Sequence, residues 1–290
     1  MYSGKENLMK GKKTNILLIL IFFIGLSLLL YPSVSNWWNS FHQTRAITSY
    51  TEALSNMDPA DYTDMFLMAE DYNDRLYSQR HPLLSYKDVE GYEEALDVTG
   101  AGLIGYIDIP SIKVELPIYH GTSEGVLSRA VGHLQGSSLP VGGTNTHSIL
   151  SAHRGLPSAK LFTDMDRVVV GDVFQITVLD RLLTYQVDQI LIVDPDEIEA
   201  LEIVEGGDYC TLVTCTPYGI NTHRLLVRGV RVDNPEVEKV VHVAPDAVQI
   251  EPLVIAPLLA IPILLVLLVM LLVQPKKKKS KHGGDTFEDK

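Results

Sequence analysis

Two apolar runs bracket this chain and constrain everything between them. Asn15 to Tyr31 is an almost unbroken apolar stretch preceded by Lys5, Lys10, Lys12 and Lys13. Leu253 to Val273 is apolar throughout and is followed at once by Lys276, Lys277, Lys278, Lys279 and Lys281. A helix of about 20 residues covers a hydrocarbon core of roughly 30 Å, so the second run spans comfortably and the first only just. Pro257 and Pro262 are tolerable within such a span. Lysines gather at the outer end of each run, and the positive-inside rule then leaves both termini cytoplasmic and residues 32–252 outside. The first run also has the basic start and modest length of a signal peptide. No small-x-small cleavage site follows it, however, and Trp37 and Trp38 suit an interfacial anchor, which favours retention.

The enclosed segment is long enough for one globular domain with a large core. Within residues 32–252, 14 Lys and Arg face 32 Asp and Glu, a net charge of −18 with His neutral. Such an acidic surface argues against nucleic acid or anionic lipid as the partner. From Ser40 to about Arg80 the chain is polar, free of Gly, and carries Met65, Met68, Ala69, Tyr72 and Leu76 at helical spacing, which predicts a helical stalk. Beyond Gly102 the signals change to strands: Leu103–Ile109, Lys113–Tyr119, His147–Ala152, Val173–Leu179, Leu182–Val193, Tyr209–Cys215 and Thr222–Val232. Short helices fit at Ser123–Val131 and Asp194–Leu201. Seven or eight strands with few helices predict a sandwich or barrel.

The two cysteines, Cys210 and Cys215, fall on the outer, oxidising side, where thiols usually pair. Five strand steps separate their Cα atoms by roughly 16 Å, beyond the 7 Å or so of a disulfide, and the odd spacing turns their side chains to opposite faces. Both should be free. Cys210 reads as a small buried hydrophobe, and Cys215, at the polar end of its strand, as a candidate nucleophile. Such a thiol needs a base, and His153 stands at a strand end in Leu150-Ser151-Ala152-His153-Arg154-Gly155. Acyl transfer also needs a donor for the developing oxyanion; Arg224, nine residues on, would face Cys215 if residues 216–221 form a strand-to-strand loop. His120, His133 and His147 match no common metal spacing and read as structural, and no metal or cofactor is expected. His223 should point away from Arg224.

Thr211-Leu212-Val213-Thr214-Cys215 matches the TLxTC signature of sortases. Cys215-Thr216-Pro217-Tyr218-Gly219 through His223-Arg224-Leu225-Leu226-Val227-Arg228-Gly229, the loop around His153, Leu116-Pro117-Ile118-Tyr119-His120-Gly121-Thr122, Gly132-His133-Leu134 and Ser137-Ser138-Leu139-Pro140-Val141-Gly142-Gly143 resemble the class C, pilin-polymerising sortases. The resemblance covers about Gly100 to Val232. It implies a mainly β fold: an eight-stranded sortase-type β-barrel with short helices, a helical N-terminal segment and two transmembrane helices. It also implies Cys215, His153 and Arg224 as the catalytic triad, with Thr214 lining the substrate groove. The implied reaction cleaves an LPxTG-like sorting signal between Thr and Gly through a thioacyl enzyme and transfers the acyl group to a lysine amine of a pilin subunit. A housekeeping sortase that anchors single proteins to cell-wall peptide, and a non-enzymatic membrane-anchored β-domain, are the alternatives. The implied setting is the cell membrane of a Gram-positive bacterium, with two passes and the catalytic domain outside.

One departure concerns the lid. Class C enzymes usually carry an Asp-Pro-aromatic tripeptide over the cysteine, and residues 81–92 contain none. Ser85 and Tyr86, in Ser85-Tyr86-Lys87, are the candidate substitute; Asp58-Pro59-Ala60 lies too early and lacks the ring. The expected layout is an N-terminal cytoplasmic piece (1–14), a transmembrane helix (15–31), a helical stalk with a possible lid (32–99), the barrel (100–232), a linker (233–252), a second transmembrane helix (253–273) and a basic cytoplasmic tail (274–290).

Overall fold

The computed structural model describes residues 3–234 and 260–269. Residues 32–234 belong to one compact unit, and residues 3–31 and 260–269 to a second. The expected linker beyond residue 234, most of the second span and the basic tail lie outside the described residues. What is described of that span is a ten-residue apolar helix, Ala260–Val269. Among the described residues one helix is long and apolar enough to cross a membrane, and it lies at the N-terminus.

That helix, α1, runs from Ser3 to Ser55 without a break and contains Pro32. The sequence reading stopped the span at Tyr31; proline instead sits inside the helix, where only one intrahelical hydrogen bond is forfeited and the apolar run before it keeps the helix going. A second helix, α2, spans Pro59–Tyr77. Asp58 is its N-cap, accepting from the Ala60 N–H at 2.9 Å, and Pro59 takes the first helical position, where its missing N–H costs nothing. Asp58-Pro59-Ala60 is therefore a helix start. The buried face of α2 is Phe66, Ala69, Tyr72, Asn73 and Leu76, whereas Leu67 and Met68 are exposed. The expected stripe was thus offset at one position, with Phe66 inside and Met68 outside. Asn73 fastens this face to Leu139 by two hydrogen bonds, Nδ2 to its carbonyl at 3.1 Å and Oδ1 from its N–H at 2.7 Å.

After α2, a four-residue helix α3 (Pro82–Ser85) and a 3-10 turn (Tyr86–Asp88) lead to the barrel. Its strands are β1 (Leu103–Ile109), β2 (Val114–His120), β3 (Val131–His133), β4 (Thr146–Ser151), β5 (Val173–Val178), β6 (Arg181–Val193), β7 (Asp208–Thr216) and β8 (His223–Val232). They close in the order β1-β2-β3-β4-β7-β8-β6-β5. The β2–β3 and β4–β7 pairs are parallel and the others antiparallel. The fold is the mainly β, eight-stranded barrel expected. The predicted helix at Ser123–Val131 is only α4 (Glu124–Leu127), because Val131 already belongs to β3. The predicted helix at Asp194–Leu201 is a 3-10 turn at Glu199–Leu201.

The interior is filled by inward residues of alternating strands, among them Ile104, Ile107, Ile118, Leu150, Phe174, Ile176, Tyr185, Cys210, Leu212 and Val227. Removing a side chain of this size from water stabilises by about 1.5–3 kcal/mol. Close packing also fixes which face of each strand looks out, and that sets the site.

Candidate active site

Strand β7 alternates from Leu212 onward. Cys210, Leu212, Thr214 and Thr216 are buried on one face; on the other, Tyr209, Val213 and Cys215 are only partly covered, and Thr211 is buried. The two cysteines are both free and five residues apart on opposite faces, as the period of two requires. Burial, helped by the Asp208 carboxylate, pushes the Cys210 thiol well above its ordinary pKa, so this sulfur stays protonated and inert.

Register brings the partners to Cys215. In the antiparallel β7–β8 ladder Arg224 is its direct opposite. Side chains directly opposite in such a ladder project from one face, so the guanidinium and the thiol share a side of the sheet. Through Nη1, Arg224 donates to the carbonyls of Asn221 and His223 at 3.3 and 3.1 Å, which ties it to the β7–β8 loop. On the other flank, the parallel β4–β7 ladder pairs Ser151 with Val213. The alignment holds one residue further, because the Ala152 N–H donates to the Val213 carbonyl at 3.2 Å. His153 therefore emerges from β4 beside Cys215. The three residues singled out from sequence are gathered at the ends of three adjacent strands.

Thr214 differs from expectation. It is 2% exposed, on the interior face, and its hydroxyl donates to the Ala152 carbonyl at 2.8 Å. It does not line a groove; it pins the residue before His153 to the strand that carries Cys215.

Glu124, at the start of α4, approaches His153 with Oε2 3.2 Å from Nε2. Sequence reasoning missed it, since one carboxylate among many in an acidic chain gives no signal until the fold places it. The contact assigns the Nε2 proton to the carboxylate side and leaves Nδ1 as the lone-pair nitrogen of the neutral ring. Arg154 was also passed over. Its buried guanidinium pairs with Asp166 at 2.9 Å, donates to the Thr163 carbonyl at 3.1 Å and lies 5.9 Å from the Tyr218 ring centroid. It thereby joins the loop after His153 to the loop after Cys215.

His133, His147 and His223 have structural partners. His133 is fully buried, with Nε2 donating to the Ser138 carbonyl at 2.8 Å and Nδ1 accepting from the Tyr92 hydroxyl at 2.9 Å; burial lowers its pKa to about 4. His147 donates from Nδ1 to the Glu202 carbonyl and accepts at Nε2 from Thr211, and burial lowers its pKa too. His223 turns to Asp194 at 3.4 Å.

The candidate lid residues lie in a loop cluster. Leu83, Leu84 and Tyr86 line a cavity of about 270 Å³ together with Thr122, Leu134 and Leu201. Gly136, at φ +95°, leaves room for the Tyr86 ring, which would sit 3.1 Å from a Cβ there. Ser85 turns inward on its own helix, its hydroxyl donating to the His81 carbonyl at 2.9 Å.

Comparison with known proteins follows the same lines. A family model described as Sortase domain matches residues 107–232. The crystal structure of sortase C1 from Streptococcus agalactiae is similar at 49% identity and a TM-score of 0.60, covering 66% of this chain and all of that one. Sortase C of Streptococcus pneumoniae, whose structure is described as informing catalysis and pilin substrate specificity, is similar at 45% identity and a TM-score of 0.60, covering 66% of this chain and 97% of that one. The curated Sortase A of Streptococcus agalactiae serotype III (strain NEM316) is 32% identical over 117 residues, 39% of this chain and 47% of that relative. The chain thus spans about half the length of that curated relative.

Proposed function

Since this chain belongs to the sortase family, we propose that it is a cysteine transpeptidase of the pilin-polymerising kind. The observation that carries this reading is the register of β7, which sets Cys215 opposite Arg224 and beside the strand end that delivers His153. The greater likeness to sortase C structures than to the curated Sortase A supports the class C form over a housekeeping role.

The chemistry follows from the roles. His153 takes the Cys215 thiol proton, the thiolate attacks the carbonyl carbon of the threonine in an LPxTG-like sorting signal, and the oxyanion so formed is met by the Arg224 guanidinium. The C–N bond to glycine breaks as His153 hands its proton to the departing amine, leaving a thioester. A lysine amine of a pilin subunit then attacks the thioester, its proton passes to His153, and the Cys215 thiolate leaves as the isopeptide bond forms. Every group needed belongs to this protein or to its substrates, so the step draws on no cofactor.

Two features complete the proposal. Residues 82–88, with Tyr86 seated on Gly136, act as a lid over the substrate-side loops in place of an Asp-Pro-aromatic tripeptide. The chain crosses a Gram-positive cell membrane twice, with residues 32–252 outside; the apolar α1 and the lysines flanking both runs support this topology.

The decisive experiment incubates the full chain in detergent micelles with an LPxTG-type peptide and an amine and reads intact mass. A thioester adduct that disappears in Cys215→Ala, together with an amide-linked product, is expected. No adduct under any condition leaves a non-enzymatic β-domain.

A further inference from the structure

Three polar side chains of α1, Asn36, Asn39 and Gln43, are spaced three and four residues apart and so share one face of the helix. Each bonds to the backbone of a barrel loop. Asn36 Oδ1 accepts from the Lys160 N–H at 2.8 Å, Asn39 Nδ2 donates to the Ser158 carbonyl at 2.8 Å, and Gln43 Nε2 donates to the Arg129 carbonyl at 2.8 Å. The partners settle the amide orientations, because a backbone N–H only donates and a carbonyl only accepts.

The loops held in this way have a common property. Ser158 and Lys160 belong to the β4–β5 connection that carries His153 near its start. Its turn folds back on that residue: the Phe162 N–H donates to the His153 carbonyl at 3.2 Å, and the Gly155 N–H to the Thr163 hydroxyl at 3.2 Å. Arg129 closes the turn that follows α4, its N–H donating to the Val126 carbonyl at 3.0 Å, and α4 begins with Glu124. α1 also bonds to Ile104 and Leu179 through the Tyr50 hydroxyl, and the two segments held by its three amides are the two that meet in the His153–Glu124 contact. That contact cannot hold them by itself: the Glu124 side chain is 81% exposed, and exposed ion pairs are weak and screened by salt. A rigid helix bonded to both backbones can.

Resting on the transpeptidase reading, we propose that Asn36, Asn39 and Gln43 are positioning residues, through which the helix that continues from the apolar segment sets the His153–Glu124 pair relative to Cys215. The stretch next to the membrane run is then part of the catalytic apparatus, and shortening the protein from that end is not neutral. Small displacements of a proton-transfer group are costly to rate, which gives the idea a measurable consequence.

The test uses the polarity of the bonds, with the full chain in detergent micelles and an LPxTG-type peptide as probe. Asn36→Asp keeps an acceptor for the Lys160 N–H and should turn over within about twofold of the unaltered protein, whereas Asn36→Leu should lose about tenfold in kcat. Asn39→Asp sets a carboxylate against a carbonyl oxygen and should also lose about tenfold in kcat, with KM changed less than about twofold. Opposite responses to the same substitution three residues apart are what the bonds demand and what a general loosening of the helix would not give. Amide exchange at Lys160 and Phe162 reads the attachment without turnover, and should quicken in Asn36→Leu and Asn39→Asp. Unchanged exchange, or normal kcat in both variants, overturns the proposal. If the unaltered protein forms no thioester, the transpeptidase reading falls, and exchange still decides whether α1 holds the loops.

Discussion

Cys210 and Cys215 lie five residues apart on one strand, and the pleat gives them opposite environments. Burial holds the Cys210 thiol protonated, so Cys210→Ala should cost about 1 kcal/mol of stability through lost packing and leave acylation intact, read by denaturant melts and intact mass. Cys215→Ala should abolish the adduct altogether. Arg224 faces Cys215 across the ladder, and a lysine there keeps the charge but not the planar fork. Arg224→Lys should lower kcat/KM by about two orders of magnitude, the size of effect seen when an oxyanion donor is removed, and full activity would take Arg224 out of the mechanism. Thr214 is the residue whose meaning changed most between sequence and structure. Its place one before the nucleophile suggested a groove, but strand alternation turns it inward onto the Ala152 carbonyl. Thr214→Val, close in shape but without a hydroxyl, leaves that buried carbonyl unpaired; it should cost about 1–3 kcal/mol in melts and lower kcat more than it raises KM.

At the scale of elements, most strands were legible because each carries a run of β-branched and aromatic residues ended by Gly, Pro, Asp or Asn, and all seven predicted ranges agree to within a residue or so with seven of the eight strands. β3 was not legible: Val131-Gly132-His133 is three residues long and earns its place only by lying between β2 and β4, a tertiary fact. The same holds for the site. Cys215 and Arg224 could be paired from spacing because one short loop joins their strands. His153 reaches Cys215 through a parallel pairing 62 residues apart in sequence, which only the family motifs anticipated. Glu124 had no signal at all. The lid proposal belongs at this scale as well. Tyr92 is a core residue, its hydroxyl bonded to His133 and to the Gly121 N–H, so removing residues 81–92 would damage the barrel as well as any lid. The clean variant is Tyr86→Ala. If Tyr86 holds the segment closed against Gly136, Cys215 alkylation by a thiol reagent should quicken about threefold or more, about 0.7 kcal/mol of closure lost. An unchanged rate removes the lid.

Over the whole molecule, three buried imidazoles respond to acid in the same direction. Burial lowers the pKa of His133 to about 4 and lowers those of His120 and His147, each against a neutral-ring environment. His120 faces Glu93, Asp97 and the backbone of Ala95 and Gly102, which oppose the shift without reversing it. The sign follows from which state binds the proton. Above the unfolded value of about 6.5 these rings are neutral in both states, and stability does not depend on their titration. For His133, between about 6.5 and 4, the unfolded chain takes up a proton that the folded barrel refuses, so stability falls as pH falls, by up to about 1.4 kcal/mol per pH unit, and His120 and His147 add to the fall in the same direction. The melting temperature of the full chain should therefore decline steadily from pH 7 to pH 5. In His133→Gln, whose amide nitrogen reaches about where Nε2 does and can donate to the Ser138 carbonyl but cannot titrate, the protein should start less stable yet lose less over the same range. Parallel declines in the two proteins would show that the buried imidazole at the junction of Tyr92, β3 and Ser138 does not set the acid limit, and would move the cause to the surface charge.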